Sequence, residues 1–244
     1  DDNPAEREIV KKQIPEVAVP VMDKPENYIS VLDHSGYFEV TALSKEDTEK
    51  TKLYQAKAEA VRQVAAFADY SDYLRSLEMT AVFTDFQPMY IQRIAQLTNK
   101  SNQFNLTTKR CSEEDIRHMQ ESDEYICLCG RLKDKFGDNG IVSVVAGKIE
   151  DEVLSIQLWL MSCRVLKRGM EDAMMNKLVR LARQHGIMTI RGYYYPTAKN
   201  GMVRDFYVNE GFTRIEETEK QNVDELQVDC YTEREIYMQV EDRI

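Results

Sequence analysis

Residues 124–162 constrain the fold most tightly. The stretches EYICLCGRLKD (124–134), GIVSVVAGKIE (140–150) and EVLSIQLWLMS (152–162) read as three strands in succession, since each is a short run rich in apolar and β-branched residues. KFGDNG, which joins the first two, supplies the aspartate, asparagine and glycine that tight turns use. Strands joined so closely run antiparallel.

Other elements flank these strands. MTAVFTDF (79–86) reads as a strand, PMYIQRIAQLTNKSN (88–102) as a helix and SEEDIRHMQES (112–122) as a second helix with a serine cap. Residues 170–184 put Met170, Ala173, Met174, Leu178, Leu181 and Ala182 on one face, the pattern of an amphipathic helix. Gly186 closes it. IMTIRGYYY (187–195) is a strand, KNGMVRDFYVNEG (199–211) a helix and REIYMQV (234–240) a last strand. The acidic stretch 216–229 reads as a solvated loop or hairpin.

Before residue 79 the pattern differs. PAEREIVKKQI (4–14) and PENYISVLDHSG (25–36) read as helices on either side of a short strand, VAVPV (17–21). This is an α/β alternation, but about forty residues bury no core of their own. Residues 44–78 lack glycine and proline and form a long helix. Ser44 and Asp47 open it as a capping box, and it breaks near Asp69–Ser71. The chain therefore divides into 1–43, a helical linker 44–78, and 79–244.

The net charge of −10 argues against nucleic acid as a partner. No apolar run reaches the ~20 residues of a membrane helix, and the acidic start carries no signal-peptide pattern. Five cysteines without a CxxC pair, and only three histidines, read as free thiols in the cytoplasm, with no zinc site.

The element order in 79–244 resembles the GNAT acyltransferase fold, and NGMVRDFYVNEGF keeps its C-terminal pattern: Asn200, Phe206-Tyr207, Gly211-Phe212. The resemblance implies an α/β (α+β) architecture, a mixed, mostly antiparallel sheet flanked by helices. It also implies that a splayed strand pair admits the acyl group, that Tyr207 protonates a leaving thiolate, and that Asn200 lies near a pantetheine arm. NQFNLTTKR, KFGDNGIV, LWLMSCRVLKRGMEDAMM and PTAKN, with DDNPAERE and IPEVAVP upstream, further resemble the FkbH-like family. Its members join a HAD-type phosphatase domain of subfamily IIIC to a GNAT-like domain. By that resemblance residues 1–43 are the C-terminal tail of the HAD-like Rossmannoid domain, whose earlier part is missing. Asp1 is then a direct Mg²⁺ ligand and Asp2 its neighbour. Read without the resemblance, the pair caps the helix that starts at Pro4. No DxDxT/V nucleophile motif occurs, so this chain alone is not expected to hydrolyse phosphate.

The implied activity is dephosphorylation of a small phosphorylated acid of glyceryl type, with transfer of the acyl group to an acyl-carrier-protein thiol. LKRGME (166–171) aligns with the GNAT loop that holds the CoA pyrophosphate on backbone N–H groups at a helix N-terminus. Gly169 is kept, but Glu171 repels a diphosphate, and Lys167 and Arg168 offset only part of this. The loop thus argues against CoA and for a carrier's phosphopantetheine, which has one phosphodiester. Cys163, beside Arg164 at a strand end, reads either as an acyl-carrying thiolate or as a small buried thiol. Asn102, Asn105, Asp138 and Asn139 either line the acyl or carrier pocket or serve as turn and cap residues. His185 suits a helix C-terminus; Met170, Met174, Met175 and Trp159 suit the core. Three functions stay open: acyl transfer to a carrier thiol, a non-catalytic module that docks a carrier beside a Mg-dependent phosphatase, and acetyl-CoA-dependent N-acetylation.

Overall fold

The computed structural model describes residues 2–37, 67 and 69–244. The chain divides into two compact units, Asp1–Thr51 and Lys52–Ile244. No helix among the described residues is long and apolar enough to cross a membrane.

In the first unit, α1 (Pro4–Gln13) starts where the Asn3 side chain accepts the Ala5 N–H at 3.0 Å. The cap is therefore Asn3 and not the aspartate pair, and Pro4 fills the first turn, where no N–H is needed. A 3₁₀ turn (Pro25–Asn27) leads into α2 (Tyr28–His34). VAVPV does not form the expected strand. Val17 and Val21 are exposed, so no sheet face draws them in, and Pro20 has no N–H to offer a ladder. The linker helix expected from residue 44, with its Ser44–Asp47 cap, lies mostly outside the described residues.

The second unit begins, as described, with α3 (Tyr70–Ser76), where Asp69 accepts the Ser71 N–H at 3.0 Å. A helix thus starts at the point where the sequence reads a restart near Asp69–Ser71. The strands are β1 (Met79–Thr84), β2 (Phe104–Asn105), β3 (Tyr125–Asp134), β4 (Gly137–Glu150), β5 (Val153–Met161), β6 (Thr189–Tyr194), β7 (Thr213–Glu217), β8 (Asn222–Gln227) and β9 (Met238–Asp242). They form one sheet in the order β7-β8-β6-β5-β4-β3-β1-β9, with β2 pairing on β5. Among the described strands only β1–β9 and β5–β6 pair parallel. The architecture is thus mixed α/β, a mostly antiparallel sheet flanked by helices, as the strand pattern of 124–162 implies.

Each sheet face has its own core. α4 (Ile91–Lys100) and α5 (Glu113–Glu121) bury Ile91, Ile94, Leu97 and Ile116 with Val144 and Leu158 on one face. The Ser112–Asp115 capping box starts α5, a device worth about 1 kcal/mol. Cys129 joins this core, and the half-buried Cys127 packs against it. On the other face α6 (Met170–Gln184) buries Met170, Met174, Met175 and Leu178 against Trp159 and Leu128. Gly130 makes room there, because a β-carbon would stand 2.2 Å from the Met170 methyl.

Three expectations change. The helix read over 199–211 is a 3₁₀ turn (Gly201–Val203) followed by the four-residue α7 (Phe206–Asn209), because the Asn200 side chain is tied to the sheet. The acidic stretch 216–229 is largely the β7–β8 hairpin, and one of its acids is not solvated: Asp224 is fully buried and accepts Arg214 Nε at 3.0 Å. The last strand starts at Met238 rather than 234. The residues before it form a strap across α6, where Asn176 donates to Arg234 O at 2.9 Å and accepts from Tyr231 OH and Arg234 N at 2.8 and 2.9 Å.

Candidate functional site

β5 and β6 pair only over Val153–Ser155 and Thr189–Arg191 and then diverge, which creates a splay. The chain fills it. β2 lies antiparallel on the free edge of β5, Phe104 opposite Met161 and Asn105 opposite Leu160. Leu106 then bridges the gap: its N–H donates to Trp159 O at 3.0 Å, and its carbonyl accepts the Tyr195 N–H at 2.9 Å. A two-residue strand carries no periodicity, so nothing in the residue pattern announces it.

Asn200, expected near a pantetheine arm, is fully buried and holds this filling in place. Its Nδ2 donates to Asn105 O at 3.0 Å and Tyr195 O at 2.9 Å. Its Oδ1 accepts Thr197 N, Thr197 Oγ1 and Tyr194 OH at 2.8, 2.9 and 3.3 Å. Asn105 is also fully buried, and its side chain accepts the Thr108 N–H and donates to Ser101 O. Its side-chain bonds are those of a loop cap.

Tyr207 is placed beneath β6 by the short α7 and has no exposed surface. Its ring meets Trp159, Phe206 and Phe212 at centroid distances of 6.1, 5.4 and 5.0 Å. The hydroxyl makes no well-formed hydrogen bond. Burial pushes its pKa well up and Asp224 adds to the rise, while the Tyr193 backbone opposes it. Cys163, in contrast, is exposed. The neighbouring Arg164 turns to Ser162 Oγ at 3.2 Å and Asn139 O at 3.4 Å. Tyr207 and Cys163, both read as catalytic, therefore stand in opposite surroundings, one fully buried and the other exposed.

The α6 N-terminus is the place for an anion. Lys167 and Gly169 have positive φ, 64° and 78°, which turns successive N–H groups inward as a nest. The anion present is the protein's own: Glu171 Oε1 accepts the Lys167 N–H at 3.0 Å. Burial raises the Glu171 pKa, the N–H groups of Glu171, Lys167 and Gly169 pull it down, and Asp172 pushes it up; the net shift is upward. Tyr70 of α3 closes the loop from outside, its hydroxyl donating to Lys167 O at 2.7 Å.

Arg168, expected to attract phosphate, is bound to Asp134 in a buried ion pair with side-chain exposures of 11% and 3%. Asp134 also accepts the N–H groups of Phe136 and Gly137 and the amide of Asn139. Asp138 forms a two-pronged pair with Arg131, at 3.2 and 2.6 Å. These residues lace the β3–β4 turn to the loop after β5. Asn102 accepts an Arg110 N–H at 2.5 Å, beside the end of α4.

Neither a CoA pyrophosphate nor a pantetheine arm finds its place open among the described residues. A CoA pyrophosphate would have to displace the Glu171 carboxylate, and a pantetheine arm would have to displace Phe104–Leu106. For magnesium, Asp1 lies outside the described residues and Asp2 is exposed. Among the described residues no group of three or more His, Cys, Asp or Glu gathers to hold a metal.

No known protein family's profile matches the chain, and no curated protein matches it. Among solved structures it is similar to the ribosomal-protein-S18-alanine N-acetyltransferase of Escherichia coli, at 11% identity over 61% of this chain and 94% of that one, TM-score 0.48. It is also similar to Ard1 from Thermoplasma volcanium, at 15% identity over 60% and 97%, TM-score 0.47. A third is the spermidine N-acetyltransferase of Vibrio cholerae in complex with CoA and spermine, at 10% identity over 62% and 97%, TM-score 0.46. At this level of likeness nothing passes from those proteins to the chemistry of this chain.

Proposed function

We propose that residues 79–244 form a GNAT-like module that does not use CoA and that docks an acyl carrier protein without catalysing transfer itself. The observation that carries the first half is the Glu171 carboxylate, seated on the Lys167 N–H at 3.0 Å, where a diphosphate would need the same N–H groups. The second half is supported by the resemblance of NQFNLTTKR, KFGDNGIV and PTAKN to the FkbH-like family. On that reading the neighbour is a Mg²⁺-dependent HAD-type phosphatase domain acting on a small phosphorylated glyceryl-type acid. Residues 1–43 belong to that domain and 44–78 link the two, in a cytoplasmic protein whose cysteines are free.

Calorimetric titration of the chain with acetyl-CoA, and separately with a phosphopantetheinylated carrier protein, tests this. Carrier binding without CoA binding is the expected result. Tight CoA binding would revive the N-acetyltransferase reading, and failure of both ligands to bind would remove the docking role. A second reading, acyl transfer through Cys163, is favoured by the exposure of that thiol after β5. Labelled acyl transfer at an unchanged rate in Cys163→Ala removes it.

A further inference from the structure

We propose that Phe104–Leu106 is a built-in occupant of the β5–β6 splay and that Asn200 is the latch that keeps it there. The inference rests on the reading of this site as closed to CoA. Four observations carry it. The segment is extended and pairs in register with the free edge of β5, so it gives that edge the backbone partner that an extended, amide-bearing ligand would give. Leu106 spans the gap with both its N–H and its carbonyl. Phe104 and Leu106 are buried in the core, with the Phe104 ring 5.1 Å from that of Phe206. Asn200 has both amide protons and its carbonyl oxygen committed, and one of those bonds goes to the occupant's own backbone at Asn105 O.

The closure is incomplete in its polar chemistry. Trp159 Nε1 and Thr107 Oγ1, on residues that pack against the splay or adjoin its occupant, are buried without a hydrogen-bond partner, and the buried Tyr207 hydroxyl has none that is well formed. Such groups are rare in well-satisfied cores. They fit a slot whose backbone needs are met by the segment while several side-chain groups are not. An extended amide-bearing arm can enter only when residues 104–106 leave, and that requires the Asn200 bond to Asn105 to break.

Hydrogen exchange on the full chain tests this, with the amides of Leu106 and Tyr195 as reporters. In the wild type both should exchange as slowly as the β3–β4 amides. In Asn200→Ala both should lose protection while β3–β4 keeps its own. Thr197→Val, which removes one bond to Asn200 Oδ1, should give a smaller loss in the same place and serves if Asn200→Ala does not fold. Loop-like exchange of Leu106 and Tyr195 in the wild type overturns the closure. Unchanged protection in both variants overturns the latch. CoA, titrated into the same wild-type sample as a probe, separates the two readings. If CoA binds while both amides stay protected, the CoA-closed reading fails and the occupant stands.

Discussion

Tyr207 lies on a place where Gly192 has no side chain: a β-carbon at 192 would stand 2.5 Å from Tyr207 Cζ and 2.6 Å from Cε1. Trp159, Phe206 and Phe212 surround the ring on its other sides, so it has no room to withdraw. Gly192→Ala is expected to lower the unfolding free energy by about 1–3 kcal/mol, the usual cost of overpacking. Urea denaturation measures it, and Tyr207→Leu in the same chain should recover part of the loss. A Gly192→Ala variant as stable as the wild type would mean that the ring is loosely held.

The Tyr207 hydroxyl makes no well-formed hydrogen bond although it is buried. Tyr207→Phe should therefore leave the stability unchanged or raise it by up to about 1 kcal/mol, read from the melting temperature, because a poorly paired buried hydroxyl is a cost. A general acid would behave otherwise: any acyl transfer by the chain would fall sharply in the same variant.

Asp134 anchors Arg168, two backbone N–H groups and Asn139. Asp134→Ala leaves the largely buried Arg168 guanidinium without its carboxylate, and such losses run to about 3–5 kcal/mol. The double variant Asp134→Leu/Arg168→Met should be less damaged than Asp134→Ala alone. Thermal unfolding of the two checks this, and equal damage would show that the charge is not what matters.

Glu210 is buried at the end of α7, its pKa raised from 4.5 to about 7 by burial and by Asp172 and Glu171, with Arg234, 3.8 Å away, opposing. The folded chain holds this proton more tightly than the unfolded chain. The stabilisation is fully present below pH 4.5, declines as pH rises to about 7, and is absent above it. The shift is worth about 3 kcal/mol. Glu210→Gln should flatten the stability profile in that window and raise the melting temperature at pH 8. An unchanged profile would place the proton elsewhere.

Regular elements with a strong pattern were legible in the sequence. The apolar face of 170–184 gives α6 its observed bounds, and Ser112 marks the start of α5. What escaped depends on distant partners. Two residues at 104–105 become a strand only because β5 and β6 part. A proline-bearing apolar run at 17–21 stays irregular without a sheet to join. Asp224 is buried in an acidic stretch because Arg214 reaches it across the hairpin. The site residues divide in the same way. Gly169, singled out by the LKRGME loop, has a left-handed backbone. Asn200 and Arg168 are committed to internal partners that no local pattern reveals. Gly192 left a faint trace, since a lone glycine inside a strand pattern marks a close approach.

The strap across α6 delivers β9 to the open edge of β1, where Met79 pairs with Met238 and Phe83 with Asp242. The earliest strand of the sheet therefore waits for the latest. Pairing at such sequence distance is slow to form, and on a growing chain β1 presents an unsatisfied backbone until β9 has been synthesised. A shortened product lacking 238–242 would keep that edge bare and would tend to self-associate through it.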